Sequence, residues 1–287
     1  MRLIGLFIQA QEKLYRTIFG NLFLAGLLLS AVTVLSVLAV SYLFAAWAAS
    51  LHPAAGFLAT ALLIYFSISP ASLAHEAIKI RRLLMAGDDD GAKKELSMIV
   101  GRDTQEMTRE EIARACIETV AENSVDSLIS PLFFAAIGGG PLAMAYRAVN
   151  TCDSMVGYRN EQYELFGKVS ARLDDAANFV PARLSLVIIF LASLMLRMDA
   201  RGALYVAWRD RLKHPSPNSA HAEAAFAGAL GVQLGGASRY AGVVKAKPQL
   251  GDTKRPLGAE QIDAAVRLLR VASFISCILF AFASLWR

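Results

Sequence analysis

The first long stretch of this chain carries no charge at all. Residues 17–74 contain not one Asp, Glu, Lys or Arg, which excludes the surface of an ordinary soluble domain. The stretch is long enough for two membrane spans of about 20 residues each, with His52 and Pro53 at the turn between them. Only 18% of all residues are charged and the mean hydropathy is +0.44. The sequence therefore predicts an integral membrane protein.

The chain also has few cysteines and no P-loop motif for nucleotide binding. Cys116, Cys152 and Cys277 lie far apart and form no Cys-x-x-Cys pair, so we expect neither a disulfide framework nor a zinc site. The pattern G-x-x-x-x-G-K-[ST] is missing, so any ATP would be held without a P-loop. The net charge is +5, but the basic residues flank apolar segments and form no basic stripe. This distribution argues against nucleic acid as a partner.

The remaining apolar segments predict an all-α bundle of four or five spans, in one membrane-embedded domain covering residues 1–287. We expect an uncleaved helix at the N-terminus and later spans at about Phe179–Met198 and Leu268–Trp286. Residues 127–146 are uncharged but contain Pro131 and three consecutive glycines from Gly138. Because irregular backbone at membrane depth survives only when it is buried in protein or lines a cavity, a re-entrant hairpin is favoured there.

The charge pattern also predicts orientation and the structure of the connecting segments. Eight Lys or Arg residues lie between His75 and Asp126, against none near His52, which favours a multi-pass protein of the cell inner membrane with a cytoplasmic N-terminus. Residues 199–267 are rich in Ala and Gly, and we interpret them as a loop of ordered turns. Asp88 precedes a short helix, where an acid is expected to favour the helix N-terminus.

Acidic residues are concentrated in one region. Twelve of the 24 Asp and Glu residues fall within 97–178. Thr108 and Glu111 have the spacing of a capping box, which predicts a helix from Arg109. That helix would carry Glu118 on the same face as Glu111. A solvated face on which Arg114 and Glu118 form a pair is the simplest interpretation, and we prefer it for Glu111. Nearer the apolar hairpin the expectation reverses, because a carboxylate there is costly without a cation or a function. The candidates on this ground are Glu122, Asn123 and Asp126.

A second polar block spans residues 147–178. Its carboxylates lie at predicted membrane boundaries, where they suit Mg²⁺ together with phosphate oxygens, and its arginines suit phosphate through paired hydrogen bonds. Ion pairs between helices are the alternative explanation. The residues alone thus predict a membrane enzyme that acts on phosphorylated substrates with Mg²⁺. The candidates in this block are Arg147, Asn150, Asp153, Ser154, Arg159, Asn160, Arg172, Asp174, Asp175 and Asn178.

Several long motifs follow one another along nearly the whole chain: Glu95–Thr104, Ala121–Asn123, Asp126, Pro131–Phe133, Tyr146–Asn160, Phe166–Gly167, Ala171–Asp175, Pro181–Arg183, His214–Asn218, Glu223 and Gly228–Val232. Together these motifs resemble the CobD/CbiB family of membrane amide synthases in cobalamin biosynthesis. The resemblance adds the candidates Arg102, Asp103, His214, Asn218 and Glu223. Two positions depart from the family pattern: Ser127 stands where glycine is usual, and Ala220, His221 and Ala222 replace a Gly-Trp-Pro run.

What the resemblance implies is an adenosylcobinamide-phosphate synthase. Such a ligase joins adenosylcobyric acid to (R)-1-amino-2-propanol phosphate, with ATP and Mg²⁺ as co-reactants and no tightly bound cofactor. The lipid bilayer and other cobalamin-assembly enzymes are the expected partners. Within this expectation the catalytic candidates are Glu122, Asp126, Asp153 and Asp174, and the first three are candidate Mg²⁺ ligands.

Two other functions are compatible with clustered acids in a membrane protein. Prenyl and CDP-alcohol transferases also use aspartates with Mg²⁺, but their two Asp-x-x-x-Asp arrays, or their single array beginning Asp-Gly, are not formed by Asp153, Asp174 and Asp175. An AmpE-like signalling protein would share the scaffold without catalysis. Loss of the Gly-Arg-Asp-Thr run ending at Thr104 would favour that alternative, and the run is intact.

Overall fold

Helices dominate the computed structural model, which describes residues 2–158, 160–240 and 242–285. A π-helical turn, Val125–Ile129, precedes α7, and β1 and β2 pair as an antiparallel hairpin. The elements are α1 (Arg2–Ile18), α2 (Leu22–Leu51), α3 (Pro53–Ser67), α4 (Pro70–Ala86), α5 (Asp89–Ser97), α6 (Arg109–Ser124), α7 (Ser130–Val156), α8 (Lys168–Ala177), α9 (Phe179–Met195), α10 (Ala200–Asp210), α11 (Ser219–Leu230), β1 (Leu234–Tyr240), β2 (Val243–Leu250) and α12 (Ala259–Ser284).

The all-α membrane class is confirmed. Four helical stretches are long and apolar enough to cross a membrane, and a fifth is added if α8 and α9, which meet at a 42° bend, act as one span. Large apolar side chains of α2 and α3, such as Trp47 and Phe57, remain exposed, as lipid-facing residues do. The four stretches are Leu22–Leu51, Pro53–Ala86, Arg109–Val156 and Ala259–Ser284.

Two compact units make up the chain. Unit 1 contains the residues up to Ile68, Ser130–Phe179 and the residues from Leu279 onward. Unit 2 contains Ser69–Ile129 and Val180–Ile278. In unit 1 the helices α1, α2 and α7 share a core that includes Ile8, Leu29 and Phe166.

Helix α7 reverses direction within unit 1. Gly138 and Gly139 have non-helical backbone angles, and Gly139 takes the positive φ of 67° that glycine tolerates. The hydroxyls of Ser130 and Tyr146 both donate to Oδ1 of Asn178, at 2.6 and 3.0 Å. Two donors on one oxygen lie within a few ångströms of each other, whereas sixteen residues of straight helix would hold them about 24 Å apart. The hairpin expected at 127–146 is therefore present.

Helix starts were predicted well in unit 2. Thr108 and Glu111 form the full capping box at the start of α6, and the Asp88 side chain accepts from the Gly91 N–H at the start of α5. The interpretation of residues 199–267 as turns was wrong, because α10, α11 and the hairpin lie there. Helix α11 is buried on all sides, so its sequence lacks the polar stripe by which amphipathic helices are recognised.

A buried ion pair connects α6 to the β1–β2 hairpin. The Glu118 side chain is only 3% exposed, and its Oε2 lies 2.5 Å from Nη2 of Arg102. Its Oε1 accepts from the Gly235 N–H at 2.7 Å, while Arg102 Nη1 donates to the Ser238 hydroxyl at 3.1 Å. The face that carries Glu118 is therefore not solvated, although the expected pairing of Glu118 with Arg114 is present. The hairpin covers this face of α6, and Arg114 lies 3.9 Å from the same carboxylate.

Helix α10 is fixed by a second buried carboxylate. Asp210 is fully buried and receives hydrogen bonds from Arg209 at 2.8 Å and from the Gly251 N–H at 2.9 Å. Lys213 lies 2.6 Å away. Burial alone would raise the pKa of Asp210, but these donors outweigh it and hold the pKa below its ordinary value. The end of β2 is thereby attached to α10.

Helices α10 and α11 approach closely because both carry glycine at the crossing. A Cβ added to Gly228 would lie 2.2 Å from the Gly202 carbonyl oxygen. We expect Gly228→Ala to force the helices apart and to cost about 1–3 kcal/mol of stability, lowering the thermal unfolding temperature in detergent. The matched control is Gly20→Ala, since no atom lies within 4 Å of a Cβ there. Equal unfolding temperatures for the two variants would contradict this packing.

The buried pair makes a second prediction. We expect Arg102→Met to cost about 3–5 kcal/mol, because it leaves the Glu118 carboxylate buried without its cation. The double variant Arg102→Met with Glu118→Leu should recover much of that loss, since neither charge remains. Thermal unfolding of the two variants in detergent measures the difference. A double variant no more stable than the single one would contradict a buried, coupled pair.

Candidate functional site

The start of α11 brings candidate acids together in unit 2. Ser219, the first residue of the helix, donates its hydroxyl to Oε1 of Glu122 at 3.4 Å. Glu223 lies one turn further along the same face and is 2% exposed. Glu122 and Glu223 are therefore neighbours on the packed helices α6 and α11, as the electrostatic influence of Glu122 on Glu223 confirms.

Glu223 binds a proton tightly in this cluster of acids. Burial raises the pKa of Glu223 well above its ordinary range, and the negative charges of Glu122 and Glu118 raise it further. Lys247 of β2 is the neighbouring cation. Burial lowers the pKa of Lys247, but attraction to Glu223 and Glu122 outweighs that effect, so the net shift is upward. The cluster can therefore hold and release a proton beside Glu122.

The segment before α11 supplies the other candidates of this region. The ring Nδ1 of His214 accepts from the Ser216 N–H at 3.0 Å, and the Ser216 hydroxyl oxygen accepts from the Asn218 N–H at 3.3 Å. Asn218 precedes α11 but makes no side-chain cap hydrogen bond. Its Oδ1 instead accepts from Nη1 of Arg183 at 3.3 Å. His214 and Asn218 thus lie at the N-terminal end of α11, and their binding of substrate stays a prediction.

Asn123 and Asp126 lie where α6 passes into the π-helical turn. The Asn123 amide donates to the Thr119 carbonyl at 2.9 Å, so it is partly engaged within its own helix. Asp126 is half-buried in the turn itself. Such turns are rare and occur frequently at functional sites. This position agrees with the candidate role of Asp126.

Arg102 and Asp103 are both attached to the hairpin. The Asp103 carboxylate accepts from the Gly242 N–H at 2.7 Å, and the backbone N–H of Asp103 donates to the Arg239 carbonyl at 2.9 Å. A cavity of about 370 Å³ opens beside Asp103, lined also by Glu111 and Arg114. Their contacts are those of residues that position the hairpin. Direct binding of substrate by Arg102 and Asp103 stays a prediction.

Unit 1 holds a separate network of polar side chains. Asn178 accepts from Ser130 and Tyr146 on Oδ1, as described above, and donates to Oδ2 of Asp174 at 2.9 Å. Asn150 donates to Oδ1 of Asp174 at 3.3 Å. Arg147 in turn donates to Oδ1 of Asn150 at 3.2 Å. Four sequence candidates, Arg147, Asn150, Asp174 and Asn178, are thus brought together, and the network joins both arms of the α7 hairpin to α8.

The end of α7 and the following segment hold the other candidates of unit 1. The Ser154 hydroxyl donates to the Asn150 carbonyl at 2.9 Å, and Asp153 leaves room for no side chain at Gly157, where a Cβ would lie 1.9 Å from its Oδ1. Asn160 accepts from the Tyr163 N–H at 3.0 Å. Arg172 and Asp175 line a cavity of about 380 Å³ together with Lys168 and Tyr158. Arg159 lies outside the described residues.

Sequence reasoning missed Glu118 and Lys247. Glu118 lies one helical turn before Glu122, so its row on α6 was visible, but nothing in the sequence indicated that the hairpin covers it. Lys247 lies in a segment interpreted as turns. Within the described ranges no group of three or more His, Cys, Asp or Glu side chains could hold a metal ion by itself. A Mg²⁺ that takes one or two carboxylates plus phosphate oxygens needs no such group, and Glu122, with only a long contact to Ser219, has free capacity of this kind.

Comparison with known proteins agrees with the resemblance found in the motifs. The CobD/Cbib protein family matches residues 1–269. The Cobalamin biosynthesis protein CobD of Clostridium perfringens is 44% identical over 279 residues, which is 97% of this chain and 89% of that protein. The CobD of Citrobacter koseri is 44% identical over 283 residues, covering 98% and 89%.

A relative named CbiB is similar too. The Cobalamin biosynthesis protein CbiB of Salmonella arizonae is 46% identical over 241 residues, 84% of this chain and 76% of that protein. No solved structure matches the chain significantly. With a family match over most of its length and relatives of this identity and coverage, the chain belongs to the CobD/CbiB family.

Proposed function

We propose that this protein acts in cobalamin biosynthesis by joining adenosylcobyric acid to (R)-1-amino-2-propanol phosphate, with ATP as the energy source, to give adenosylcobinamide phosphate. Family membership supports the pathway. The observation that carries the reaction type is the cluster of Glu122, Glu223 and Lys247 at the start of α11. It combines a carboxylate that can hold a cation with groups that can move a proton, in a largely buried setting.

Amide formation requires that the carboxylate first be activated. Transfer of the γ-phosphoryl group of ATP to the carboxylate oxygen gives an acyl phosphate and ADP. The amine nitrogen then attacks the carbonyl carbon, the carbon–oxygen bond to phosphate breaks, and inorganic phosphate leaves while the nitrogen loses a proton. A carboxylate whose pKa lies above its ordinary range binds a proton more tightly, which suits the acceptance of that proton. Glu223 meets this requirement, and Glu122 is its neighbour.

Mg²⁺ would supply charge neutralisation on the transferred phosphoryl group. Glu122 and Asp126 of unit 2 are the residues proposed to hold it, with phosphate oxygens as further ligands. A role for Asp153 of unit 1 as an Mg²⁺ ligand stays a prediction. In unit 1 the Asp174 network holds Arg147 and Asn150 in fixed positions, which suits the binding of an anionic group.

The cellular setting is proposed on charge and composition. The four apolar stretches make the protein a multi-pass membrane protein. The basic residues that follow α3 favour an inner-membrane protein with a cytoplasmic N-terminus, the side on which ATP is available. The transferase and signalling alternatives gain no support from the comparisons, since the relatives named above are cobalamin biosynthesis proteins.

The reaction can be tested directly. Membranes containing the full chain, incubated with adenosylcobyric acid, ATP, Mg²⁺ and aminopropanol phosphate, should yield the amide by mass spectrometry. Omission of ATP or of Mg²⁺ should abolish the product. If membranes with verified full-length protein formed no ATP-dependent amide, the proposed reaction would be wrong.

Individual carboxylates can be tested in the same assay. We expect alanine at Glu122, Asp153 or Asp174 to abolish coupling while membrane insertion, measured by fractionation, stays normal. The matched control is Asp90→Ala, because Asp90 is fully exposed and contacts only Lys93. Full activity in all three variants would remove these residues from the site.

A further inference from the structure

The N-terminal end of α11 also has a basic face, which has no part in the amide formation proposed above. His221 lies in the first turn of the helix and is 1% exposed, yet its ring Nδ1 has no hydrogen-bond partner among the described residues. A buried polar atom without a partner is costly and calls for an explanation. An absent ligand that hydrogen-bonds to this nitrogen is one such explanation.

Two guanidinium groups lie near the imidazole. Burial lowers the pKa of His221, and the positive charge of Arg183 lowers it further; the Asn218 backbone opposes this shift in part, and Arg211 adds a smaller lowering effect. Arg211 extends from the end of α10 and rests on the Trp208 ring, with its central carbon 3.5 Å from the ring centroid. Stacking of this kind fixes the plane of a guanidinium. Nη1 of Arg211 donates to the Trp208 carbonyl oxygen, and its other N–H groups can meet an anion. The region around His221 is therefore positive.

The N-terminus of α11 also favours an anion at this place. Asn218 precedes α11, but its side chain accepts from Arg183 and does not cap the helix. The first N–H groups of a helix attract anions through their unpaired protons and the helix dipole. Helix α11 has twelve residues, so this field is well developed. An uncapped start, two arginines and an unpartnered buried imidazole thus converge at one place.

We propose that His221, Arg211 and Arg183 form a phosphoryl-binding subsite at the N-terminal end of α11. The imidazole donates from Nδ1 to a phosphoryl oxygen, and the guanidinium groups neutralise its charge. The subsite takes the phosphate ester of the amino-alcohol substrate or a phosphate of ATP. Only the choice between these two sources rests on the proposed function.

Kinetics distinguish the two sources. We expect His221→Leu and Arg211→Gln each to raise the KM of one phosphorylated substrate about tenfold or more, with kcat changed far less. A rise for aminopropanol phosphate, together with a smaller preference over unphosphorylated 1-amino-2-propanol, assigns the subsite to the amine. A rise for ATP alone assigns it to the nucleotide. The exposed residues His75 and Arg201, changed to Ala and Gln, are the controls and should leave both constants unaltered.

A binding measurement separates failure of the subsite from failure of the proposed function. The chain has four histidines, so ¹⁵N-histidine labelling of the full protein in detergent gives few signals, and His221→Leu identifies the one that belongs to His221. Inorganic phosphate should shift that signal, whereas chloride at equal ionic strength should not, and Arg211→Gln should weaken the response. An unmoved His221 signal, with both KM values unchanged in the variants, would overturn the subsite even if amide formation is observed.

Discussion

The burial of the Glu118 carboxylate is the constraint on which the rest of unit 2 depends. A buried charge must be paired and hydrogen-bonded, because its desolvation cost is otherwise far larger than the stability of a domain. Glu118 meets this requirement with Arg102 and with the Gly235 N–H, two groups far from it in sequence. Since both lie on segments that would otherwise be free to move, the ion pair sets where the hairpin lies against α6. Lys247 is carried on that hairpin, so the composition of the acid cluster follows from the same constraint.

Unit 1 meets the corresponding requirement with a network of amide, hydroxyl and carboxylate groups centred on Asn178. Asn178 uses its amide oxygen to join two arms of a helix that reverses at Gly139, and its amide nitrogen to hold Asp174. In an apolar environment such a network is stable only when its members satisfy one another. Residues that a membrane hairpin needs for its own stability are therefore the same residues that resemble the family's polar motifs. Structural and catalytic contributions of Asp174 must be separated by experiment.

Local signals in the sequence predicted local structure. The capping box at Thr108, the cap at Asp88 and the reversal at the glycines of α7 each depend on residues a few positions apart, and all three are present. The segment 199–267 was misinterpreted because α11 is buried all round and rich in alanine, so it has no polar stripe. The exposure of Glu118 was misjudged because it depends on a hairpin more than a hundred residues away.

In the candidate site, too, the residues recognised from local sequence differ from those that only the fold brings together. Glu122 and Asp126 were singled out by their position before an apolar hairpin, and Glu122 does lie beside Glu223 at the start of α11. Lys247 and His221 were not candidates, since a lone lysine in an apparent loop and a lone histidine carry no pattern. Their importance emerges only from the charges that the fold places around them. Sequence motifs therefore named the family and several acids, whereas the basic groups around α11 required the structure.

The central claim is that the cluster at α11 serves a ligase that activates a carboxylate as an acyl phosphate. Adenosylcobyric acid labelled with ¹⁸O in its free carboxylate tests this most directly. The account predicts that one labelled oxygen is transferred to the inorganic phosphate released during turnover, visible as an isotope shift in the ³¹P NMR spectrum. Amide formation with unlabelled phosphate would contradict it.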